Sequence, residues 1–206
     1  LYYCALDGSW NDNGNNLWGE IGEEDLLPDV ALGRLSFSNL NELARMINKA
    51  TSYQDTPILG ELTHPLLAGE HLWSDPETWG SDYLNLLIGY RDDNGYTTIG
   101  SPPEQNIDSL YEKHLAWNGG TIMASINQGK SFVHHSGHAN SSSVMHLSIP
   151  DITNANFSQV NGITHNFTFV FSHGCICGAF DESDCIMEHM VKIDNFAAAV
   201  IGNSRY

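Results

Sequence analysis

The sequence predicts an α/β fold: a mostly parallel sheet with helices on both faces. Three observations carry this. Short apolar runs alternate with helical patterns along the chain; no internal repeat interrupts them; and 206 residues, 41% of them hydrophobic, supply one sizeable core or two small ones.

In order, residues 28–35 (PDVALGRL) are a strand candidate. Residues 39–53 follow with Leu40, Leu43, Ile47 and Ala50 on one helical face, and Asn39 or Asn41 is placed to cap that helix. Residues 64–68 (HPLLA) read as a short strand and residues 81–90 as a helix. Residues 109–126 read as a helical region broken near Gly119-Gly120. Residues 130–135, 168–172 and 196–201 are further strands, the last preceded by a helix over 185–193.

Charge narrows the function classes. Eight Lys+Arg stand against 25 Asp+Glu, a formal net charge of −17, which repels a phosphate backbone, so nucleic acid is excluded as a partner. No run approaches the roughly 18 apolar residues of a membrane span, and no basic segment leads into an apolar one at the start. Such acidity fits a secreted protein, a calcium binder, a protein that attracts cationic ligands, or a merely solvated surface. The chain opens in the strand-like Leu1-Tyr2-Tyr3-Cys4-Ala5 and stops after Val200-Ile201-Gly202 with no closing element, the look of a piece of something longer. Four cysteines are too few for a disulfide scaffold at this length and are weighed singly.

In parallel sheets, chemistry gathers beyond the carboxyl ends of the strands. Residues 64–68 run out into Gly69-Glu70, 130–135 into Ser136-Gly137-His138, and 168–172 into His173-Gly174-Cys175. A carboxylate, an imidazole and a thiol on one edge are the inventory of a nucleophilic cysteine: the histidine takes the thiol proton and the carboxylate orients the ring. Cys4 and Cys185 read as small core residues. Gly174 and Gly178 around Cys175 predict a sharp turn that exposes its side chain. His134 and His135 alternate faces, so at least one is packing or surface, and Glu70 by itself also reads as a solvated loop residue. Two alternatives stay open at this stage: an irregularly spaced zinc site from Cys175, Cys177, Cys185, His173 and His189, and a Cys177–Cys185 disulfide. In LDGSWNDNGNNLWGE, Asp7, Asn11, Asn13, Asn15 and Glu20 are hard oxygen donors suited to calcium, without the spacing of the twelve-residue helix-loop-helix site; turn chemistry accounts for Asn-Gly equally well.

HHSGHANSSSVMHL (134–147) and FVFSHGCICGAFDESDCIMEHM (169–190) resemble the two catalytic motifs of the gingipain family of cysteine peptidases, relatives of the caspases. YYCALDGSW and DLLPDVALGRLSF (within 2–37) resemble the link between that family's two catalytic subdomains, PLLAGE (65–70) the strand bearing its third catalytic residue, and AAAVIGNSRY (197–206) the strand after the nucleophile. The similarity covers essentially the whole chain, and caspases lack the PDVALGRL segment.

The resemblance implies a caspase-like three-layer sandwich. Residues 1–37 would be the end of an N-terminal subdomain and the link, and 38–206 a catalytic subdomain lacking its C-terminal part. Cys175 would be the nucleophile, since Gly178 and Phe180 keep the family's spacing after it; His138 the general acid and base; Glu70 the carboxylate that supports the histidine. The backbone amides of Ala139 and Cys175 would form the oxyanion hole. Position 139 is usually glycine in the family, so the methyl of Ala139 is expected to narrow the cleft. Asp82 matches the aspartate at the bottom of the S1 pocket in arginine-specific members, where a buried carboxylate binds a guanidinium; its alternative role is to cap the 81–90 helix. Family members bind calcium, which implies a structural ion here and none in the chemistry. The implied activity is a secreted or cell-surface, bacterial-type cysteine endopeptidase that cuts protein or peptide substrates after a basic residue. A sortase-like transpeptidase of a secretion system and a non-catalytic scaffold are the alternatives. The strand at 196–201 is expected to meet a strand from a second chain, released by cleavage after Tyr206.

Overall fold

The computed structural model describes residues 4–25, 27–103 and 105–205 of the protein. The strand-like opening Leu1-Tyr2-Tyr3 and the terminal Tyr206 lie outside the described residues. The chain divides into two compact units, Leu1–Leu35 and Ser36–Tyr206.

The described residues of the first unit form turns and bends without helix or strand. The strand expected over 28–35 is absent there, and Val30, Leu32 and Leu35 are exposed. An apolar alternation needs a neighbouring strand to pair with, and among the described residues of this unit the segment's backbone meets only the Cys4 carbonyl, through the Asp29 and Val30 amides. Asparagine turns shape the preceding loop: Asn13 Oδ1 accepts from the Asn15 amide at 2.9 Å and Asn15 Oδ1 from that of Leu17 at 2.8 Å.

The second unit is built on five parallel strands: β1 (Pro65–Gly69), β2 (Asp108–Tyr111), β3 (Phe132–Ser136), β4 (Thr168–Ser172) and β5 (Ala197–Ile201), in the order β5-β4-β3-β1-β2. β1 is buried at all five positions, as a central parallel strand covered on both faces must be. Helix α1 (Leu40–Asp55) begins at Asn39, whose side chain accepts from the Asn41 and Glu42 amides. Helix α2 (Gly80–Leu84) packs on β1 and β3. Helices α3 (Gly119–Ile126) and α4 (Ile186–Lys192) bury Ile122, Ile126, Ile186 and Met190 with Leu66, Ala68, Val133 and Val170 of the sheet. Leu67, Leu84 and Tyr111 form a separate cluster. The result is the expected caspase-like sandwich of helix, sheet and helix.

Two helices were expected where the chain does something else. Over 81–90, α2 stops at Leu84, a single 3₁₀ turn covers Asn85–Leu87, and Tyr90–Asp93 pairs with Tyr96–Ile99 as a hairpin. The turn is Asn94-Gly95, with φ of +52° and +79°, the dipeptide that a right-twisted two-residue hairpin selects. Over 109–126, residues 108–111 are strand β2. The Gly119-Gly120 pair opens α3 instead of breaking a helix, because Asn118 caps it: its side chain accepts from the Thr121 amide at 3.1 Å.

With β2 on one side of β1 and β3, β4 and β5 on the other, the strand order reverses between β1 and β3. Crevices in parallel sheets open at such a point, outside the carboxyl ends.

Candidate active site

β1 runs directly into Glu70, which is buried, and its carboxylate has three neighbours. Oε1 lies 2.9 Å from His135 Nε2, Oε2 accepts the His138 backbone N–H at 2.8 Å, and His146 Nε2 stands 3.9 Å from Oε1. Burial pushes the Glu70 carboxyl up, but the hydrogen bond and charge of His135, the His138 amide and the charge of His146 together outweigh it, and the group is held below its ordinary range. Glycine is required at position 137: a Cβ there would fall 2.3 Å from His135 Nε2 and 2.4 Å from Glu70 Cδ.

β3 ends at Ser136, and the turn through Gly137 leaves His138 exposed at the crevice. Its imidazole does not meet Glu70. Nε2 instead lies 3.2 Å from the Leu72 carbonyl, so Glu70 supports the His138 main chain while a backbone carbonyl orients the ring. His138 also lines a cavity of about 260 Å³ together with Glu70, Ala139, Asn140, Ser143, Val144 and His146. His146 reaches it from two consecutive left-handed residues, Met145 at φ +56° and itself at +55°. That costly conformation persists only where the surroundings impose it. Here Glu112 Oε1 holds His146 Nε2 at 2.8 Å and Trp117 meets the ring edge-on at 4.5 Å.

β4 matches its expected bounds to the residue and delivers Ser172, His173, Gly174 and Cys175. Cys175 is half-buried, followed by Ile176 at φ +45°, so the backbone turns sharply as the flanking glycines predicted. The segment after β5 ties this turn down: Asn203 Nδ2 donates to the His173 and Gly174 carbonyls at 3.0 and 3.2 Å, and the Gly178 amide donates to the Asn203 carbonyl at 3.0 Å. Cys177 points the other way. Its Sγ is wholly buried, 3.4 Å from the Gly174 carbonyl and 3.8 Å from Met187 sulfur, and burial pushes the thiol up. Cys185 is also buried, with its thiol pushed up by burial, at the start of α4. The four cysteines are free thiols, so the Cys177–Cys185 disulfide does not form. Nor does the irregular zinc set converge: among the described residues the only three-ligand cluster is Asp7, Asp25 and Asp29.

The histidine and cysteine turns touch. A Cβ built on Gly174 would lie 2.4 Å from that of Ala139. The Ala139 methyl, expected to narrow the cleft, faces Gly174, where the missing side chain leaves room for it.

Asp82 departs from both of its expected settings. It lies in the first turn of α2 without capping it, and its side chain is 46% exposed, not buried, paired with Lys113 Nζ at 2.5 Å. Of the calcium candidates, Asn13 and Asn15 present their amide nitrogens to Glu20 Oε2, at 3.1 and 2.7 Å, and use their oxygens in turns. Asn11 Oδ1 is buried without a hydrogen-bond partner among the described residues. Asp7 instead joins Asp25 and Asp29, their oxygens within 4.8 Å of one another, and the charge of Asp29 together with Asp25 raises the Asp7 carboxyl.

Sequence reading missed His135 and Ser172. The signal was a histidine and a serine at matching ends of adjacent central strands, register partners in the sheet.

Residues 1–206 match the profile of peptidase family C25. The chain belongs to that family, the gingipain family of cysteine peptidases. Among solved structures, this C25 chain is similar to the Arg-specific cysteine proteinase gingipain R (RgpB), with a TM-score of 0.61, 19% identity, and coverage of 84% of this chain and 40% of that one. It is likewise similar to the complex of Porphyromonas gingivalis RgpB pro- and mature domains, with a TM-score of 0.62, 17% identity, and coverage of 86% and 41%. The C25 chain thus spans about two fifths of the length of each. No curated protein matches it.

Proposed function

We propose that the C25 chain carries the catalytic centre of a cysteine endopeptidase, with Cys175 as nucleophile and His138 as general acid and base. The observation that supports this most is the contact between the Ala139 and Gly174 turns, which sets the residue after His138 against the residue before Cys175. In the reaction, His138 takes the Cys175 proton and the thiolate attacks the scissile carbonyl carbon. The oxyanion develops near the amides of Ala139 and Cys175. Collapse breaks the C–N bond as His138 returns the proton to the leaving amine; water, deprotonated by His138, then cleaves the thioester and restores the thiol. The leaving amine must sit beside the group that protonates it, so the cavity between His138 and His146 takes the amine side of the substrate.

Asp82 favours a basic residue before the scissile bond, and the substrate's cation would replace Lys113 on it. The natural setting is secreted or at the cell surface. A structural calcium ion fits the first unit: the crowded carboxylates of Asp7, Asp25 and Asp29 repel one another, and a divalent cation would relieve that repulsion while playing no part in peptide cleavage. A second chain, pairing with β5, the outer strand of the sheet among the described residues, completes the reading. If an amine in place of water resolves the thioester, the same centre is a sortase-like transpeptidase; a scaffold role needs no competent thiol. The test is incubation with arginyl and lysyl peptides, with and without added amine, read by mass spectrometry. Hydrolysed product supports the reading, amine-capped product the transpeptidase, and no cleavage together with no reaction of Cys175 with an acyloxymethyl ketone overturns both.

A further inference from the structure

His135 and Ser172, which this mechanism does not use, sit at its centre. His135 is 0% exposed on β3 and Ser172 is 2% exposed at the end of β4. Buried polar groups are costly unless their hydrogen bonds are made, and here they are all made, along one line. The Gly174 N–H donates to Ser172 Oγ at 3.0 Å; Ser172 Oγ lies 2.8 Å from His135 Nδ1; His135 Nε2 lies 2.9 Å from Glu70 Oε1; and Glu70 Oε2 accepts the His138 N–H at 2.8 Å.

With a neutral His135 ring, one proton arrangement satisfies every group on the line. Glu70 accepts at both oxygens and is the carboxylate, so His135 Nε2 donates to it. His135 Nδ1 then accepts the Ser172 hydroxyl proton, and Ser172 Oγ is left to accept from Gly174. All donors point towards Glu70, and the two ends of the line are the amide of His138 itself and the amide immediately before Cys175.

We propose that His135 and Ser172 are positioning residues that lock the His138 turn to the Cys175 turn through Glu70. This rests on the peptidase reading above. The lock acts on the distance between the reacting groups, where a displacement of about 1 Å costs about 10²-fold in rate. It touches no substrate, so its loss appears in kcat and not in KM. Gly137 belongs to the same device, since any side chain there would enter the line between His135 and Glu70.

The test compares Ser172→Ala, Ser172→Thr, His135→Gln and His135→Asn. A glutamine amide stands where Nε2 was and keeps the bond to Glu70; an asparagine amide stands where Nδ1 was and keeps the bond to Ser172. Two quantities are measured on folded protein matched by thermal melting: the rate of Cys175 alkylation by iodoacetamide, mapped by peptide mass spectrometry, and kcat and KM per titrated thiol. Ser172→Ala and both His135 variants should lose about 10-fold or more in alkylation rate and kcat, with KM within about 3-fold, and Ser172→Thr should recover most of the loss. His138→Ala is the control. If it leaves alkylation of Cys175 unchanged, the peptidase reading fails and the positioning role with it. If it slows alkylation while the folded His135 and Ser172 variants react as wild type, the positioning role alone is overturned and the line is a structural brace.

Discussion

The Cβ of Ala139 lies where it would be 2.4 Å from any Cβ added at Gly174. The residue after the candidate general base and the residue before the candidate nucleophile therefore share one methyl's worth of space. One of the two must be glycine.

That relationship predicts a reversal. Gly174→Ala should destabilise the protein by about 1–3 kcal/mol and reduce Cys175 reactivity, the usual consequence of overpacking. Ala139→Gly/Gly174→Ala moves the methyl to the other partner and should recover at least half of both losses. A double-mutant cycle by urea denaturation measures the coupling, expected at about 0.5–3 kcal/mol, whereas simple additivity would mean the two turns do not touch.

The thiols should separate cleanly. Cys177 is enclosed by Gly174, Met187 and the core, so Cys177→Ala should leave a large share of hydrolysis while costing about 1 kcal/mol of stability, as small core truncations do. Equal loss of turnover in Cys175→Ala and Cys177→Ala, measured on one peptide, would show that the two thiols act jointly.

Lys113 and Asp82 set a prediction about specificity. An exposed ion pair is worth at most about 1 kcal/mol, so Lys113 competes only weakly with a basic substrate side chain. Lys113→Ala should raise kcat/KM for arginine and lysine substrates several-fold, and Asp82→Asn should lower it about 10-fold, less than a buried site would give. Unchanged constants in both variants would move the determinant elsewhere.

Acid should weaken the fold in two stages. Burial, helped by the nearby His173 and His135, lowers His134 to about 4 from 6.5, so it stays neutral in the folded protein while the unfolded chain binds a proton. Stability from this source is complete above pH 6.5 and falls towards pH 4. Glu70 is depressed, so its contribution is intact above the ordinary glutamate value of about 4.3 and is lost as pH drops through the folded one. Urea midpoints across this range should show the upper stage flattened in His134→Phe and retained in Glu70→Gln.

Much of the architecture was legible because the central strands are short and uniformly apolar: β4 appeared with its bounds, and α1 with Asn39 as one of its two candidate caps. Residues 81–90 misled because Leu84, Leu86 and Leu87 suit a helix, while the Asn94-Gly95 turn just beyond pulls Tyr90–Asp93 into a hairpin. Cys175, His138 and Glu70 were legible as strand-end residues. His135 was not, because an imidazole in a strand gives no sign of its face, and its meaning depends on a carboxylate 65 residues away and a serine on the next strand. The buried setting of Asp82 was implied by its match to the family's S1 aspartate alone, and the pairing that holds it half-exposed depends on Lys113, 31 residues further along the chain.

The most direct measurement is covalent labelling by an arginyl acyloxymethyl ketone, read by intact mass. Wild type should gain one label, mapped to Cys175; Cys175→Ala should gain none, and His138→Ala should label at least about 100-fold more slowly. Labelling at Cys177, or at Cys175 with equal speed in His138→Ala, would contradict the assignment of Cys175 and His138 as one catalytic pair.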